Sequence, residues 1–204
     1  MPPMWLKNAS VHIAEHDVNI TDGERIFKVA HVFFHPNYDP KDTETDYDFA
    51  ILELAEYVDF SDHAMPICLP DIYADYDSRV AIVAGWGSTN LSLNTPTYPN
   101  ILQKVTVFTM NNKVCKAKYQ RADSDITKRE NMICADHSLE KDSCKGDSGG
   151  PLITMEDGGY FSLIGVVSTG KGCAYPNLGG IYGRVTEVLG WIQDHTTGKT
   201  CPRP

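Results

Sequence analysis

Ser148 lies in the stretch of this sequence whose residue types most directly suggest chemistry, Asp142-Ser-Cys-Lys-Gly-Asp-Ser-Gly-Gly-Pro-Leu152. A serine hydroxyl is a poor nucleophile until a neighbouring base removes its proton. The run Gly146–Gly150 also satisfies the G-x-S-x-G pattern of the nucleophile-elbow hydrolases, in which the serine opens a helix and Asp and His follow later in the chain. Here a strand-like Leu-Ile-Thr follows, and too few residues remain for a doubly wound sheet. The pattern therefore favours nucleophilic serine chemistry outside the elbow hydrolases.

Short β-like runs must position this loop. They are separated by clusters of Pro, Asn, Asp and Gly, as is typical of a barrel or a sandwich. The predicted strands are Ser10–Ile13, Ile26–Phe34, Phe49–Leu54, Val80–Ala84, Ile101–Phe108, Leu152–Met155 and Phe161–Ser168. The segment from Asp59 to Tyr76 is the best candidate for a crossing between two sheets. Near the end, Val185, Val188, Leu189 and Ile192 recur at helical spacing, which predicts one amphipathic helix docked on the core.

The composition narrows the functional classes. The 204 residues carry a net charge of −9 without a basic cluster, which argues against a nucleic-acid partner. No apolar run approaches the roughly 20 residues of a membrane span, so we expect no membrane partner. Six cysteines without zinc-site spacing favour disulfides, and three Asn-x-Ser/Thr sequons also favour an extracellular location. Because the first residues do not resemble a secretion signal, we expect the sequence to begin late in a longer protein.

The loop around Ser148 resembles the active-site loop of the chymotrypsin-like serine proteases, and of their trypsin-like branch in particular. The resemblance extends in collinear order from about residue 10 to residue 195. The other motifs that match the family are Asp48-Phe-Ala-Ile-Leu-Glu-Leu, His35-Pro-Asn-Tyr38, Pro66-Ile-Cys-Leu-Pro70, Gly85-Trp-Gly87, Asn131-Met-Ile-Cys-Ala135, Gly165-Val-Val-Ser168, Gly180-Ile-Tyr182 and Trp191-Ile. It implies an all-β, two-barrel fold with a C-terminal helix. Residues 1–70 would form the remaining part of an incomplete N-terminal barrel, and residues 71–204 the second barrel and the helix.

The resemblance assigns catalytic roles. Ser148 would be the nucleophile, and the N–H groups of Gly146 and Ser148 would form the oxyanion hole. Asp48 would lie behind a catalytic imidazole, fixing its tautomer and stabilising the imidazolium. Asp46 is two residues away, but Asp48 directly precedes the apolar run and is the better candidate. Asp147 matches the residue that pairs with a freed N-terminal ammonium in active members; we expect it to lack that partner here.

The resemblance also assigns substrate contacts. Asp142 matches the acid at the floor of the primary specificity pocket, which implies cleavage after Arg or Lys, because a desolvated carboxylate needs a charged partner. Gly170 and Gly180 match wall positions that must stay small. Ser168 matches the residue whose backbone pairs with the substrate, and Thr169 replaces a common Trp. The implied partners are protein or peptide substrates and protease inhibitors. We expect no cofactor and no catalytic metal.

Two disulfides are implied by the resemblance, Cys115–Cys134 and Cys144–Cys173. A third family bridge would join the positions of Ala81 and Thr154, and both cysteines are absent together. Cys68 matches a position that often bonds to an upstream propeptide or light chain, as in arthropod clip-domain proteases. Cys201 has no family counterpart and is left to pair with Cys68 or elsewhere.

The catalytic histidine is the missing part. The family places it roughly forty-five residues before the aspartate, in an Ala-Ala-His-Cys-like motif, which here would fall near position 3. The seven histidines stand instead at positions 12, 16, 31, 35, 63, 137 and 195. Two interpretations remain open: a partial sequence of an active protease, or a pseudoprotease that serves as a secreted binding or regulatory module. Separately, Glu15 and Glu24, with Asp22, fall in a loop that binds calcium in some family members.

Overall fold

The computed structural model describes residues 9–21, 23–39, 41, 46–92, 94–122, 131–137, 142–196 and 201. Nine strands dominate these residues: β1 Ser10–Ile13, β2 Arg25–Phe34, β3 Ala50–Leu54, β4 Val80–Gly85, β5 Gln103–Met110, β6 Met132–His137, β7 Pro151–Met155, β8 Phe161–Thr169 and β9 Gly180–Arg184. Helix α1 covers Asn112–Arg121. A 3-10 turn at Val185–Val188 leads into helix α2, Leu189–His195. All seven strands expected from the sequence are present, with ends shifted by at most two residues.

The first three strands form an antiparallel sheet in the order β1-β2-β3. Val32 lies opposite Leu52 and Phe34 opposite Ala50, so these four side chains share one face. Phe34 and Leu52 are each 46% exposed, so this apolar face is open within the described residues. Within the described residues these three strands do not close into a barrel, and the assignment of residues 1–70 to an incomplete first barrel stays a prediction.

The remaining six strands close into a barrel in the order β4-β5-β6-β9-β8-β7, with β7 pairing back to β4. Alternate residues of each strand point inward and fill the barrel. The fully buried centre comprises Ala81, Val83, Val107, Ile133, Leu152, Ile164 and Tyr182. This closed barrel is the rigid support of the Ser148 loop, which precedes β7.

The C-terminal helix docks as its spacing predicts. Val185, Val188 and Leu189 are buried against Phe49, and Ile192 is partly buried beside them. Phe49 directly follows Asp48, so this packing ties the segment of the candidate catalytic aspartate to the second barrel. The chain between β3 and β4 follows β8, where Cys68 exchanges hydrogen bonds with Phe161 and Leu163.

Three disulfides are present. Cys115–Cys134 and Cys144–Cys173 agree with the implied pairs. The third joins Cys68 to Cys201. Because a thiol forms a single disulfide, this pairing corrects the expectation that Cys68 binds an upstream propeptide or light chain. Ala81 and Thr154, at the positions of the absent family bridge, face each other across β4 and β7. No helix in the described ranges is long and apolar enough to span a membrane.

Candidate active site

The Ser148 loop is a compact turn bound to β8. The Asp147 N–H donates to the Cys144 carbonyl (3.0 Å), and the Gly150 N–H donates to the Asp147 carbonyl (2.8 Å). The Gly149 N–H donates to Val167 (2.8 Å), whose own N–H donates to Gly150 (2.9 Å). Gly146 has φ +100° and Gly149 has φ +83°, conformations that glycine adopts without a steric penalty. Ser148 lies exposed at the top of this turn.

Asp147 anchors the turn from below. Its carboxylate accepts hydrogen bonds from the backbone N–H groups of Gly87 (2.8 Å) and Cys144 (2.9 Å). A Cβ added at Gly85 or Gly87 would lie within 2.1–2.5 Å of carboxylate atoms of Asp147, so both positions require glycine. Two backbone amides thus hold this carboxylate. Asp147 is therefore not a freely solvated turn carboxylate.

A cavity of about 400 Å³ opens beside Ser148. Its lining contains five of the predicted site residues: Asp142, Ser148, Ser168, Gly170 and Gly180. A Cβ at Gly180 would lie 3.0 Å from the Tyr182 hydroxyl oxygen and 3.2 Å from Asp142 Oδ1, so a larger residue would crowd the acid. Gly170 lines the cavity, and a Cβ there would meet no atom closer than 3.7 Å, so the described packing alone does not require glycine at this position. The Cys144–Cys173 disulfide joins the two sides of this cavity.

Asp142, the acidic residue of the cavity lining, lies next to Ser143 and close to the Tyr182 hydroxyl. The Ser143 N–H donates to Asp142 Oδ1 (2.8 Å), and the Ser143 hydroxyl lies 3.2 Å from the hydroxyl of Tyr182. Burial and then the Asp142 charge raise the pKa of Tyr182, so its phenol stays protonated. Burial also raises the pKa of Tyr119 to about 12, and its hydroxyl donates to the Gly179 carbonyl (2.5 Å).

Sequence reasoning assigned no role to Ser143 or Tyr182. Both stand inside motifs that carried the resemblance, in the loop before Ser148 and in Gly180-Ile-Tyr182. Ser143 lines the cavity together with Asp142, and the hydroxyl of the fully buried Tyr182 contacts the Ser143 hydroxyl from the interior. The sequence signal that could have identified them is position: Ser143 directly follows Asp142, and Tyr182 lies two residues after Gly180.

Asp48 connects to the cavity through Ser168. The Ser168 hydroxyl donates to Asp48 Oδ2 (2.8 Å), so the carboxylate is held next to the strand that forms one cavity wall. The turn around Asp48 is fixed on both sides, because the Phe49 N–H donates to the Tyr47 carbonyl and the His35 N–H donates to the Phe49 carbonyl. Asp46 lies apart from this arrangement and accepts a hydrogen bond from Asn131 on the second barrel.

Among the side chains that the structure describes, no imidazole hydrogen-bonds to Asp48. The His35 ring stacks on Tyr47 at 4.5 Å and meets the Trp191 ring edge-on at 4.9 Å, which makes it a packing residue. His31 pairs with Glu53 (2.7 Å), and His195 contacts the Trp191 carbonyl (2.8 Å).

The loop of Glu15 and Glu24, which matches a calcium-binding loop of some family members, is described only in part. Glu15 accepts hydrogen bonds from the His16 N–H (3.1 Å) and lies 3.3 Å from His12 Nδ1, and Asp22 is outside the described residues. The described residues contain no group of three or more His, Cys, Asp or Glu side chains that could hold a metal ion. Calcium binding by this loop is a hypothesis that calorimetry on the full-length protein would test.

Known proteins resemble this chain over most of its length. The family model described as Trypsin matches residues 6–192. Trypsin 5G1 of Aedes aegypti is 40% identical over 174 residues, which are 84% of this chain and 60% of the relative. Serine protease filzig of Drosophila melanogaster is 38% identical over 169 residues, 82% of this chain and 10% of the relative.

The proclotting enzyme of Tachypleus tridentatus is 37% identical over 195 residues, 91% of this chain and 49% of the relative. The chain thus spans no more than 60% of the length of these three relatives. The family match, the closed barrel and the shared cavity of Ser148 and Asp142 agree with one another. The chain belongs to the trypsin family of serine proteases.

Proposed function

We propose that this chain is the part of an extracellular serine endopeptidase that carries the nucleophile and the specificity pocket, and that it directs cleavage after Arg or Lys. The observation that carries the proposal is the single cavity lined by Ser148 and Asp142. A carboxylate at the floor of a narrow cavity favours a guanidinium or ammonium group, because a charged partner offsets its loss of hydration. Ser143 adds a hydroxyl residue to the same lining, and the absence of side chains at Gly170 and Gly180 leaves room for a long side chain.

The chemistry follows from the placement of the reacting groups. With a substrate Arg beside Asp142, the scissile carbonyl carbon would lie at Ser148, whose Oγ attacks it while an imidazole takes the hydroxyl proton. The N–H groups of Gly146 and Ser148 would stabilise the oxyanion. Each such donor typically contributes about 3–4 kcal/mol to transition-state stabilisation. The imidazolium then protonates the leaving amine, and water hydrolyses the acyl-enzyme. Asp48, held by Ser168, would orient the imidazole.

The histidine of that reaction has no counterpart at the expected place in this sequence. We therefore infer that the 204-residue chain has negligible peptidase activity by itself, with at most the weak residual catalysis that an oxyanion hole supports. The assay is hydrolysis of an arginine p-nitroanilide by the chain and by Ser148→Ala. Cleavage by the chain that Ser148→Ala abolishes would contradict this inference. The three disulfides and the sequons support the extracellular location.

The pocket assignment has a test that needs no catalysis. Benzamidine is a small mimic of the arginine side chain, and isothermal titration would measure its binding to the 204-residue chain. We expect Asp142→Ser to weaken binding by at least about 30-fold, because truncating one partner of a desolvated ion pair costs about 2–5 kcal/mol. Asp157→Ser, in the exposed β7–β8 turn, is the matched control and should leave binding unchanged. Equal binding by the chain and by Asp142→Ser would exclude the pocket assignment.

A second candidate function is a non-catalytic binding or regulatory module. The observation that favours it is the absence of an imidazole bonded to Asp48 among the described side chains. Such a module would bind substrate-like segments or inhibitor loops in the same cavity without cleaving them. The upstream coding sequence distinguishes the two candidates: an Ala-Ala-His-Cys-like segment supports the enzyme, and an open reading frame without such a histidine supports the module.

A further inference from the structure

Asn19 lies in an exposed, hydrogen-bonded turn between β1 and β2. The Ile20 N–H donates to the Asp17 carbonyl (3.0 Å), and the Asn19 N–H donates to the Asp17 side chain (3.1 Å). The Val18 N–H donates to the Asn100 carbonyl (3.1 Å), which anchors the turn on the second barrel. The side-chain amide of Asn19 has no hydrogen-bond partner among the described residues, and Asn19 is exposed. Thr21, the hydroxyl residue of the sequon Asn19-Ile-Thr21, is also exposed.

Two apolar side chains flank Asn19 on this turn. Val18 is 53% exposed and Ile20 is 55% exposed. Neither packs into the core clusters, so water contacts most of their surface. A bulky, hydrophilic group attached at Asn19 would cover both side chains without displacing any described contact. The turn therefore presents a free amide, an accessible hydroxyl and an apolar surface that benefits from a cover.

Asn90, in the sequon Asn90-Leu-Ser92, differs from Asn19 because its side-chain amide is hydrogen-bonded within its own loop. Its Oδ1 accepts a hydrogen bond from the Ser92 N–H (3.0 Å). Its Nδ2 donates to the Thr95 carbonyl (2.9 Å) and lies 3.3 Å from the Thr95 hydroxyl. Its backbone carbonyl accepts a hydrogen bond from Ser88 (3.0 Å). The half-buried amide of Asn90 thus spans its own loop, and both polar atoms of the side chain are in use.

We propose that Asn19 carries an N-linked oligosaccharide and that Asn90 remains unmodified as the internal brace of its loop. The proposal rests on the extracellular route given under the proposed function. The third sequon, at Asn8, lies outside the described residues. A glycan on Nδ2 of Asn90 would replace one of the two amide protons, so at most one of the two contacts with Thr95 could persist, and the sugar would lie beside Thr95. The loop as folded therefore disfavours this modification.

The modification is a glycosyl transfer from a polyprenyl-diphosphate-linked oligosaccharide. Nδ2 of Asn19 attacks the anomeric carbon of the first sugar, and the bond from that carbon to the diphosphate oxygen breaks. The polyprenyl diphosphate leaves with the bonding electron pair, and the transferase accepts one amide proton. The product amide keeps one N–H. The hydroxyl at Thr21 completes the acceptor sequence that the transferase recognises.

The test is site-resolved mass spectrometry of the full 204-residue chain, expressed behind a signal peptide in human cells. Peptide N-glycosidase in heavy-oxygen water converts each glycosylated Asn to labelled Asp, so occupancy is measured separately at Asn19 and Asn90. Both the secreted pool and the membrane-enclosed cellular pool are mapped, since transfer occurs in the lumen. We expect high occupancy at Asn19 and none at Asn90 in the folded, secreted pool. An unmodified Asn19, or an occupied Asn90 in that pool, would overturn the proposal.

Two matched variants distinguish the glycosylated site, Asn19, from the site proposed to stabilise the fold, Asn90. Asn19→Gln should remove the label at that site and leave the unfolding midpoint of the deglycosylated chain unchanged. Asn90→Gln should lower the midpoint by about 2–4 °C without changing the glycan mass, as expected when one hydrogen-bonded brace is lost. An unchanged midpoint for Asn90→Gln would contradict the brace. Because the signal peptide supplies the route, a negative result at Asn19 counts against this proposal and leaves the benzamidine test of the protease assignment intact.

Discussion

Replacing Gly87 by alanine should remove the support beneath the nucleophile. A Cβ at Gly87 would lie 2.3 Å from Cγ of Asp147 and 2.4 and 2.5 Å from its two oxygens. Ordinary carbon–carbon contacts lie near 3.5–4.0 Å, so the carboxylate must move by more than about 1 Å. That movement breaks its hydrogen bonds to the N–H groups of Gly87 and Cys144. Asp147 directly precedes Ser148, so the loop moves with it.

The magnitude follows from the two lost contacts. A hydrogen bond to a charged group contributes about 1.5–3 kcal/mol, so Gly87→Ala should reduce the free energy of unfolding by about 3–6 kcal/mol. That is a large share of the roughly 5–15 kcal/mol of an ordinary domain. Benzamidine binding should also weaken, because the Cys144 N–H that Asp147 holds belongs to the cavity wall. Urea unfolding followed by circular dichroism measures the first effect, and titration calorimetry measures the second.

Gly190 provides the control for this prediction. It lies in α2, and a Cβ there would meet no atom within 4 Å. Gly190→Ala should leave benzamidine binding unchanged and stabilise the chain by up to about 1 kcal/mol, because alanine is the better helix former. The reasoning fails if Gly87→Ala costs less than about 1 kcal/mol, or if Gly190→Ala costs as much as Gly87→Ala.

Three further predictions concern stability. The double variant Ala81→Cys/Thr154→Cys should form a disulfide, because directly opposed residues of antiparallel strands have suitable spacing. Under oxidising conditions this bond should raise the free energy of unfolding by about 2–4 kcal/mol. Equal free energies of unfolding for the oxidised and reduced forms would contradict the prediction. Burial lowers the pKa of His35, so stability should fall as the pH drops from about 6.5 through the lower folded value. Urea unfolding at a series of pH values should show that the free energy of unfolding falls less steeply with acid in His35→Gln than in the unchanged chain. The exposed His63→Gln should behave like the unchanged chain, and the same pH dependence in both variants would refute this prediction. Burial raises the pKa of Tyr76 to about 12, so stability should fall as the pH rises from about 10 to 12, and Tyr76→Phe should lessen that loss; an unchanged alkaline loss would count against it.

The sequence predicts strands well where side chains alternate and poorly where tertiary contacts decide. Strand β9, Gly180–Arg184, contains two glycines and gives little local signal for a strand. Its conformation is set by contacts, because a Cβ at Gly183 would lie 2.6 Å from the Phe49 ring. Strand β6 shows no clear alternation either, and it is positioned between β5 and β9 by pairing.

Helix α1 was missed for a related reason. It buries only Cys115 and Tyr119, so its apolar stripe is too narrow to recognise as a helix signal. The helix depends on the Asn111 cap, whose side chain accepts from the Lys113 N–H (2.9 Å), and on the Cys115–Cys134 disulfide. A cap residue without a clear periodic stripe after it is weak grounds for predicting a helix.

The sequence also does not show which distant residues a charged side chain or a cysteine contacts in the fold. The motif around Ser148 indicates that Asp147 is special, but only the fold brings Gly87, sixty positions away, beneath its carboxylate. Likewise, six cysteines allow fifteen pairings, and the pairing of Cys68 with Cys201, 133 positions apart, is fixed by tertiary contacts that the spacing of the cysteines does not specify.

The central claim is that the cavity beside Ser148 binds an arginine-like cation through Asp142. A crystal structure of the 204-residue chain soaked with benzamidine tests it most directly. We expect the amidinium within about 3 Å of the Asp142 carboxylate, as for a charge-assisted hydrogen bond, with the ring between Gly170 and Gly180. An amidine bound elsewhere on the surface, or an Asp142 carboxylate turned away from an empty cavity, would contradict it.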